Sequence, residues 1–432
     1  MSALPPSPAP DEASSDLVVR TVRIDEPVDL LAHVPEHFSG AWLRHGQGMV
    51  SVGSAWSVRT AGPHRFTAAS AAFQQLAART RVDDEVRTRS SGLIALGTFS
   101  YADGSDRPST LTVPRAVLGV DEGEAFLTVV GTGEEPQLPT SWRDLFPSTP
   151  RPPAVGELEI DPAHTPQQYQ ALVREAVAAI EQGEAQKVVL SELTSVRSAQ
   201  PLSRAVLVAE LARAYPSTWV YHLEDVIGAS PEMLAQTEDG RVFSRVLAGT
   251  RPVAEDGELS EQDRRSFRGD AKERSEHAFA VDSVVDRLVD VAFDISVSHE
   301  PFVLRLPGLE HLASDVSASL LRGVTSLDVA ARLHPSAAVS GTPREAADAV
   351  IARLEPRDRG GYASPVGWMN ARGDGQWAIA LRMAHLVDER TVALQAGGGL
   401  VAASDPVSEH AEVLAKNRPM LRALRGAGPV RP

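Results

Sequence analysis

The 432-residue chain reads as a mixture of strands and helices, on two observations. Up to about residue 150, short apolar runs such as "LIALGTFSYA" (93–102), "AVLGV" (116–120) and "FLTVVG" (126–131) alternate with Gly, Pro and Asp turns, which is a strand pattern. Beyond residue 165, capped helical repeats are interspersed with further strands. With 43% hydrophobic and 23% charged residues the chain can bury a large core, in one large domain or two ordinary ones.

The elements follow in order. "MSALPPSPAPDEASSD" (1–16) has no basic start followed by an apolar run, so a disordered tail on a cytoplasmic protein is expected. Residues 17–150 form a β-rich lobe without a chemical motif, and the proline-rich stretch 136–157 is expected to connect it to a second part, 158–425. There, Thr165, Pro166 and Gln168 make a helix start with a capping box, and Tyr169, Leu172, Val173, Ala176, Val177 and Ile180 repeat at helical spacing up to Gly183. "KVVLSELT" (187–194) is a strand with Lys187, Val189 and Ser191 on one face and Glu192 on the other. "STWVYHLE" (217–224) and the pair joined by "EDG" (238–240) continue with strands. From Lys272, Val281, Val284, Val285, Leu288, Val291, Ala292 and Ile295 predict one long helix with Glu276 and His277 near its start. Thr342 and Pro343 are expected to open another helix as N-cap and first residue. Three more strands follow, with Arg382 inside the middle one, and Asp405 and Pro406 start a last helix carrying Glu409, Glu412 and Lys416 on one face.

A formal charge of −15 without a basic stripe speaks against a nucleic-acid partner, and a small anionic substrate would need a local positive pocket. No run approaches the ~20 apolar residues of a membrane span. Absence of cysteine leaves only oxygen or imidazole ligands for a metal.

"GASPEML" (228–234) sets the acid Glu232 behind a proline in an apolar stretch, where an unpaired charge is costly unless its pKa moves. Taken singly, each candidate has an ordinary explanation. Glu232 can turn to solvent at a strand end, and Lys187 can snorkel at a strand edge. Glu276 can favour a helix start, while Glu409, Glu412 and Lys416 can form a solvated ion-paired face. His311 can be a satisfied core histidine, and "GGG" (397–399) can be a bulge. Arg382, among Ile379, Ala380, Leu381 and Met383, needs a carboxylate from the protein or from a ligand.

Together these residues fall in "KVVLS" (187–191), "GASPEML", "LAGTR" (247–251), "KERSEH" (272–277), "EHLAS" (310–314), "LHPSAAVSGTP" (333–343), "DRGGYASPVGW" (358–368), "ALRMA" (380–384), "AGGGLVAASDP" (396–406) and "EHAEVLAK" (409–416). In that order the motifs resemble the chorismate-utilising enzymes, most closely the isochorismate synthases. The resemblance implies a large α+β fold, the chorismate-binding enzyme fold, with large antiparallel sheets wrapped by helices around one active site and residues 158–425 as the chorismate-binding region. It implies Mg²⁺ held by Glu276 and Glu412 with Glu409 in support, and substrate carboxylates received by Arg382, Lys416 and the backbone at Gly397 and Gly398. Ala248, Gly249 and Thr250 would line the C4 side, and His311 would reach the reacting hydroxyls. Glu232 would be the general acid at the C4 hydroxyl and Lys187 the base for water attacking C2.

Lys187 separates this pattern from relatives that add ammonia, so no glutaminase subunit is expected and a monomer is the expected state. The product would feed menaquinone or siderophore biosynthesis. A salicylate synthase, which goes on to eliminate pyruvate, and a binding protein without turnover remain as alternatives. Glu192 stands where the family commonly has arginine, and "AGGGLV" replaces "AGAGIV"; a changed packing partner is expected for Glu192.

Overall fold

The computed structural model describes residues 16–36, 39–148, 157–253, 260–306, 309–355 and 357–426, without the side chains of Ser39, Thr250, Pro252, Lys272, Glu276, Leu306 and Leu309. Two sheets, of 13 and 10 strands, face each other across the largest core. Among the described residues every ladder is antiparallel except the pairing of Leu17–Ile24 with Arg81–Asp84. Strands from the first 132 residues continue both sheets. Ser39–Arg44 pairs with Trp219–Leu223 in the larger, and Ile94–Thr98 with Pro365–Asn370 in the smaller.

The two sheets are stitched by chain segments that leave one and enter the other. Val226–Ser230 lies in the larger sheet and Met233–Glu238 in the smaller, with only Pro231 and Glu232 between them. Gly375–Ile379 and Met383–Leu386 make the reverse passage, through Ala380, Leu381 and Arg382. These passages run side by side, since Gly228 registers with Met383 and Met233 with Ala378. Pro231 lacks an N–H and cannot continue a ladder, which suits a break in pairing. Ser230 Oγ ties the corner by donating to the Ile379 carbonyl at 2.6 Å. Arg382 is therefore not inside a strand as expected; it occupies a left-handed corner, φ 48°, between two strands.

Helices cover the outer faces. Pro166–Glu181 starts as expected, with Thr165 and Gln168 making both bonds of the capping box. It packs with Arg344–Leu354 and Pro406–Gly426 over Val188, Leu190, Ala396 and Leu400. Two other expectations need correction. The helix from Ala271 ends at Leu288, and Ala292–Val297 is a strand. Val291, Phe293, Ile295 and Val297 alternate with smaller or polar residues, and this period of two outweighs the helical spacing that also fits. Thr342 does not cap the next helix; it pairs with Lys187 in a short bridge, and Pro343 stands at the N-cap without a side-chain cap bond.

Part of the expected connector belongs to the core. Ser141 caps a 3-10 turn at Trp142–Asp144, and Trp142 and Phe146 are buried among Leu43, Val50 and Leu207. Residues 149–156 of that stretch, and 1–15 of the expected tail, lie outside the described residues. No helix among the described residues is long and apolar enough to cross a membrane.

Candidate active site

At the corner where the sheets exchange strands lies a cavity of about 220 Å³. Lys187, Glu232, Ala248, Gly249, His311, Arg382, Gly397, Glu409, Glu412 and Lys416 all line it, so the fold gathers residues spread over 230 positions of sequence into one wall. Gly398 does not line it, but Gly399 does. The side chains of Thr250 and Glu276 lie outside the described residues.

The floor is a bare strand edge. Lys187–Ser198 and Thr391–Leu400 pair without a register shift, so the triple glycine is not a bulge. On the other side, Met383–Leu386 pairs only as far as Gln395. From Ala396 onward that edge of the glycine strand has no strand neighbour, because the chain preceding Met383 has turned away at Arg382. Lys416 Nζ donates to the Gly397 carbonyl at 2.8 Å, so Gly397 directs its backbone groups toward this edge. In an antiparallel strand the N–H and C=O of one residue share a direction and residues two apart repeat it. Gly397 and Gly399 thus turn their N–H groups toward the cavity side, which corrects the expected pair Gly397 and Gly398.

Arg382 and Glu232 project from the two sheet-switching passages. Burial lowers the Arg382 pKa, with Tyr362 and Glu412 opposing the shift. Its side chain makes no hydrogen bond or ion pair among the described residues. Desolvation raises the Glu232 carboxyl from 4.5 to about 7, against the pull of Lys187 and Lys416. No carboxylate is among the causes of this shift. His311 is pushed down to about 3 by burial, then by Lys416 and Arg382, so its ring is neutral near pH 7.

The Pro406–Gly426 helix supplies an acidic wall. Glu409 accepts from Ser404 Oγ at 2.7 Å, and Glu412 pairs with Lys416 at 2.6 Å. With Gly397 also bound, Lys416 retains one of its three N–H donors. A Cβ on Gly398 would stand 3.0 Å from Glu409 Oε2 and 4.0 Å from Glu412 Oε1, so the missing side chain makes room for both carboxylates.

Among the described residues no three carboxylate or imidazole side chains are grouped to hold a metal. Mg²⁺ does not require three, since it takes one or two carboxylates and completes its shell with water and substrate oxygens. The oxygen donors that converge beside Gly398 fit that ion.

Several lining residues escaped the sequence reading. Glu273 reaches the cavity beside Gly249, whose φ of 76° forms the extra residue of a bulge between Ala248 and Thr250. The spacing Glu273, Glu276 repeats that of Glu409, Glu412, a signal visible in the sequence. His277 bridges the bulge to the neighbouring strand, its Nδ1 at 3.1 Å from the Ala248 carbonyl and its Nε2 at 2.8 Å from Ser314 Oγ. Tyr362 and Gln395 complete the walls. Glu192 is buried on the face opposite Lys187, where it accepts from the His164 N–H at 2.9 Å and meets the His164 ring at 2.8 Å.

A cavity combining an unpaired arginine, a bare glycine edge, a raised carboxyl and an acidic wall defines an enzyme-type site for a small anion. The chain belongs to the chorismate binding enzyme family, whose pattern matches residues 12–425. Isochorismate synthase DhbC of Bacillus subtilis is 34% identical over 277 residues, 61% of this chain and 69% of that protein. Anthranilate synthase component 1 of Streptomyces coelicolor is 39% identical over 265 residues, 60% of this chain and 50% of that protein. The crystal structure of DhbC from Bacillus anthracis superimposes with a TM-score of 0.75 at 27% identity, covering 91% of this chain and 98% of that one.

Proposed function

We propose that the chain is an isochorismate synthase, which adds water at C2 of chorismate and expels the C4 hydroxyl. Arg382 supports this most: a desolvated guanidinium in no ion pair among the described residues shares its cavity with an acid poised near pH 7 and a lysine. The substrate is a dianion, and its carboxylates supply the partner that Arg382 lacks. The Gly399 N–H and the remaining Lys416 donor would hold the rest of that charge, the Gly397 N–H being engaged by the Tyr362 oxygen.

Lys187 takes a proton from the water whose oxygen bonds to C2. The two ring double bonds shift, the C4–O bond breaks, and the Glu232 proton leaves with that oxygen as water. His311, neutral, offers a hydrogen bond to a ring hydroxyl. With water as nucleophile the chain needs no ammonia-supplying subunit. Glu412 and Glu409 would hold Mg²⁺, with Glu276 assigned by the family resemblance. Bound there, the ion would supply positive charge against the substrate's ring carboxylate.

Incubation with chorismate and Mg²⁺, followed by separation of products, tests the reading. Isochorismate alone supports it. Salicylate with pyruvate would move the chain to the salicylate synthases, and no product would make it a binding protein. Glu412→Gln is expected to raise the Mg²⁺ concentration for half-maximal turnover by at least about 10-fold, the loss that even an outer-shell partner can cause. Full activity in excess EDTA would contradict the metal assignment. Arg382→Lys should weaken chorismate binding by calorimetry about 10-fold or more, as loss of a charge-assisted hydrogen bond would, with an unchanged melting temperature. Unchanged affinity would make Arg382 a structural cation.

A further inference from the structure

We propose that Gly399 is a positioning residue for Lys187: its bare backbone is the surface on which the end of the lysine side chain lies, and the inference rests on the role of Lys187 as base. Gly399 registers opposite Val189, the residue two after Lys187, so the lysine and the glycine sit diagonally on one face of the same ladder. A Cβ built on Gly399 would stand 2.8 Å from Lys187 Cε and 3.4 Å from Nζ, and no other described atom lies within 4 Å of it beyond its chain neighbours. The vacant volume therefore belongs to the lysine tip alone. Gly399 has no left-handed φ, so conformational freedom does not explain the glycine.

The two preceding glycines serve different neighbours. A Cβ on Gly397 would meet the Leu190 carbonyl at 2.8 Å and Ser191 Cα at 3.2 Å, which are backbone atoms of the paired strand. One on Gly398 would meet Glu409. At Gly398 and Gly399 an added methyl meets only side-chain ends, the two carboxylates at the first and the lysine tip at the second, so at Gly399 it is the lysine tip that must rotate aside. It would then carry the amine away from its station over the cavity. Since Lys187 opens its strand and is anchored there by the bridge to Thr342, the displacement is confined to the side chain.

The test is a double-mutant cycle. Gly399→Ala, which keeps the backbone N–H assigned to the substrate, is expected to lower kcat by about 10²-fold, the loss that a misplacement of about 1 Å can cause. In a Lys187→Ala background the same change should lower kcat by much less than it does in the parent enzyme, since there is no amine left to displace. Circular dichroism and melting temperature should match the parent proteins. Near-wild-type kcat in Gly399→Ala, an equal loss in both backgrounds, or loss of the fold would each overturn the positioning role while leaving the base assignment standing. Near-wild-type turnover in Lys187→Ala alone would instead overturn the base assignment, and the positioning proposal with it.

Discussion

Glu232→Gln is expected to slow chorismate conversion by about 10²–10⁴-fold, the contribution of a well-placed general acid. The amide keeps the shape of the carboxyl but cannot give up a proton at the leaving oxygen. Lys187→Ala should cost a similar factor, and chorismate affinity should change little in both variants, as neither side chain is assigned to a carboxylate. The pH dependence carries a sign. The forward reaction needs the protonated carboxyl, so the part of the kcat/KM profile that Glu232 controls falls as pH rises through about 7, the pKa to which desolvation lifts Glu232. In reverse, the carboxylate must accept a proton from water at C4, so the rate falls as pH drops through the same value. A Glu232→Gln enzyme within a few-fold of wild type in either direction would leave the mechanism without its acid.

Arg359→Leu is expected to destabilise the protein by about 3–5 kcal/mol, the usual cost of stripping one partner from a buried ion pair. The side chains of Arg359 and Glu355 are 2% and 7% exposed, and their contacts are 2.7 Å on both carboxylate oxygens. Burial works against the guanidinium charge, but Glu355, helped by Tyr101 and Tyr362, outweighs it and holds the pKa above the ordinary arginine value. Arg359 also donates to the Val189 and Val339 carbonyls at 2.7 Å each, and both residues line the cavity. Its loss should therefore lower the denaturation midpoint and, at temperatures where the variant remains folded, lower turnover as well. Pairing it with Glu355→Gln should recover part of the stability, since no uncompensated carboxylate would remain. A single variant with wild-type stability in urea would show that this pair is dispensable.

What could be read from the chain follows from the range of the forces involved. The capping box at Thr165, the "EDG" turn and the acidic face of the last helix are set by neighbours within four residues, and each stands as expected. The position of Arg382 depended on a long-range fact, that its strand changes sheet beside Pro231, and periodicity sees only an uninterrupted apolar run. The same limit hid the choice of Gly399 over Gly398. Which amides face the cavity is decided by where a third strand stops pairing, 12 residues along the chain. At Val291–Val297 two periodicities overlapped, and the strand prevailed because it completes an edge of the smaller sheet. Glu273 was legible as a repeat of the Glu409, Glu412 spacing, but a lone carboxylate on a charged helix face does not stand out.

The claim that Lys187 delivers a solvent water to C2 while Glu232 discharges the C4 oxygen is tested most directly by turnover in H₂¹⁸O. Isochorismate isolated after less than one equilibrium passage should carry one ¹⁸O atom, at C2, with its other oxygens unlabelled. Product whose C2 oxygen is the one that chorismate brought at C4, with no solvent label, would mean an internal transfer and would contradict the account.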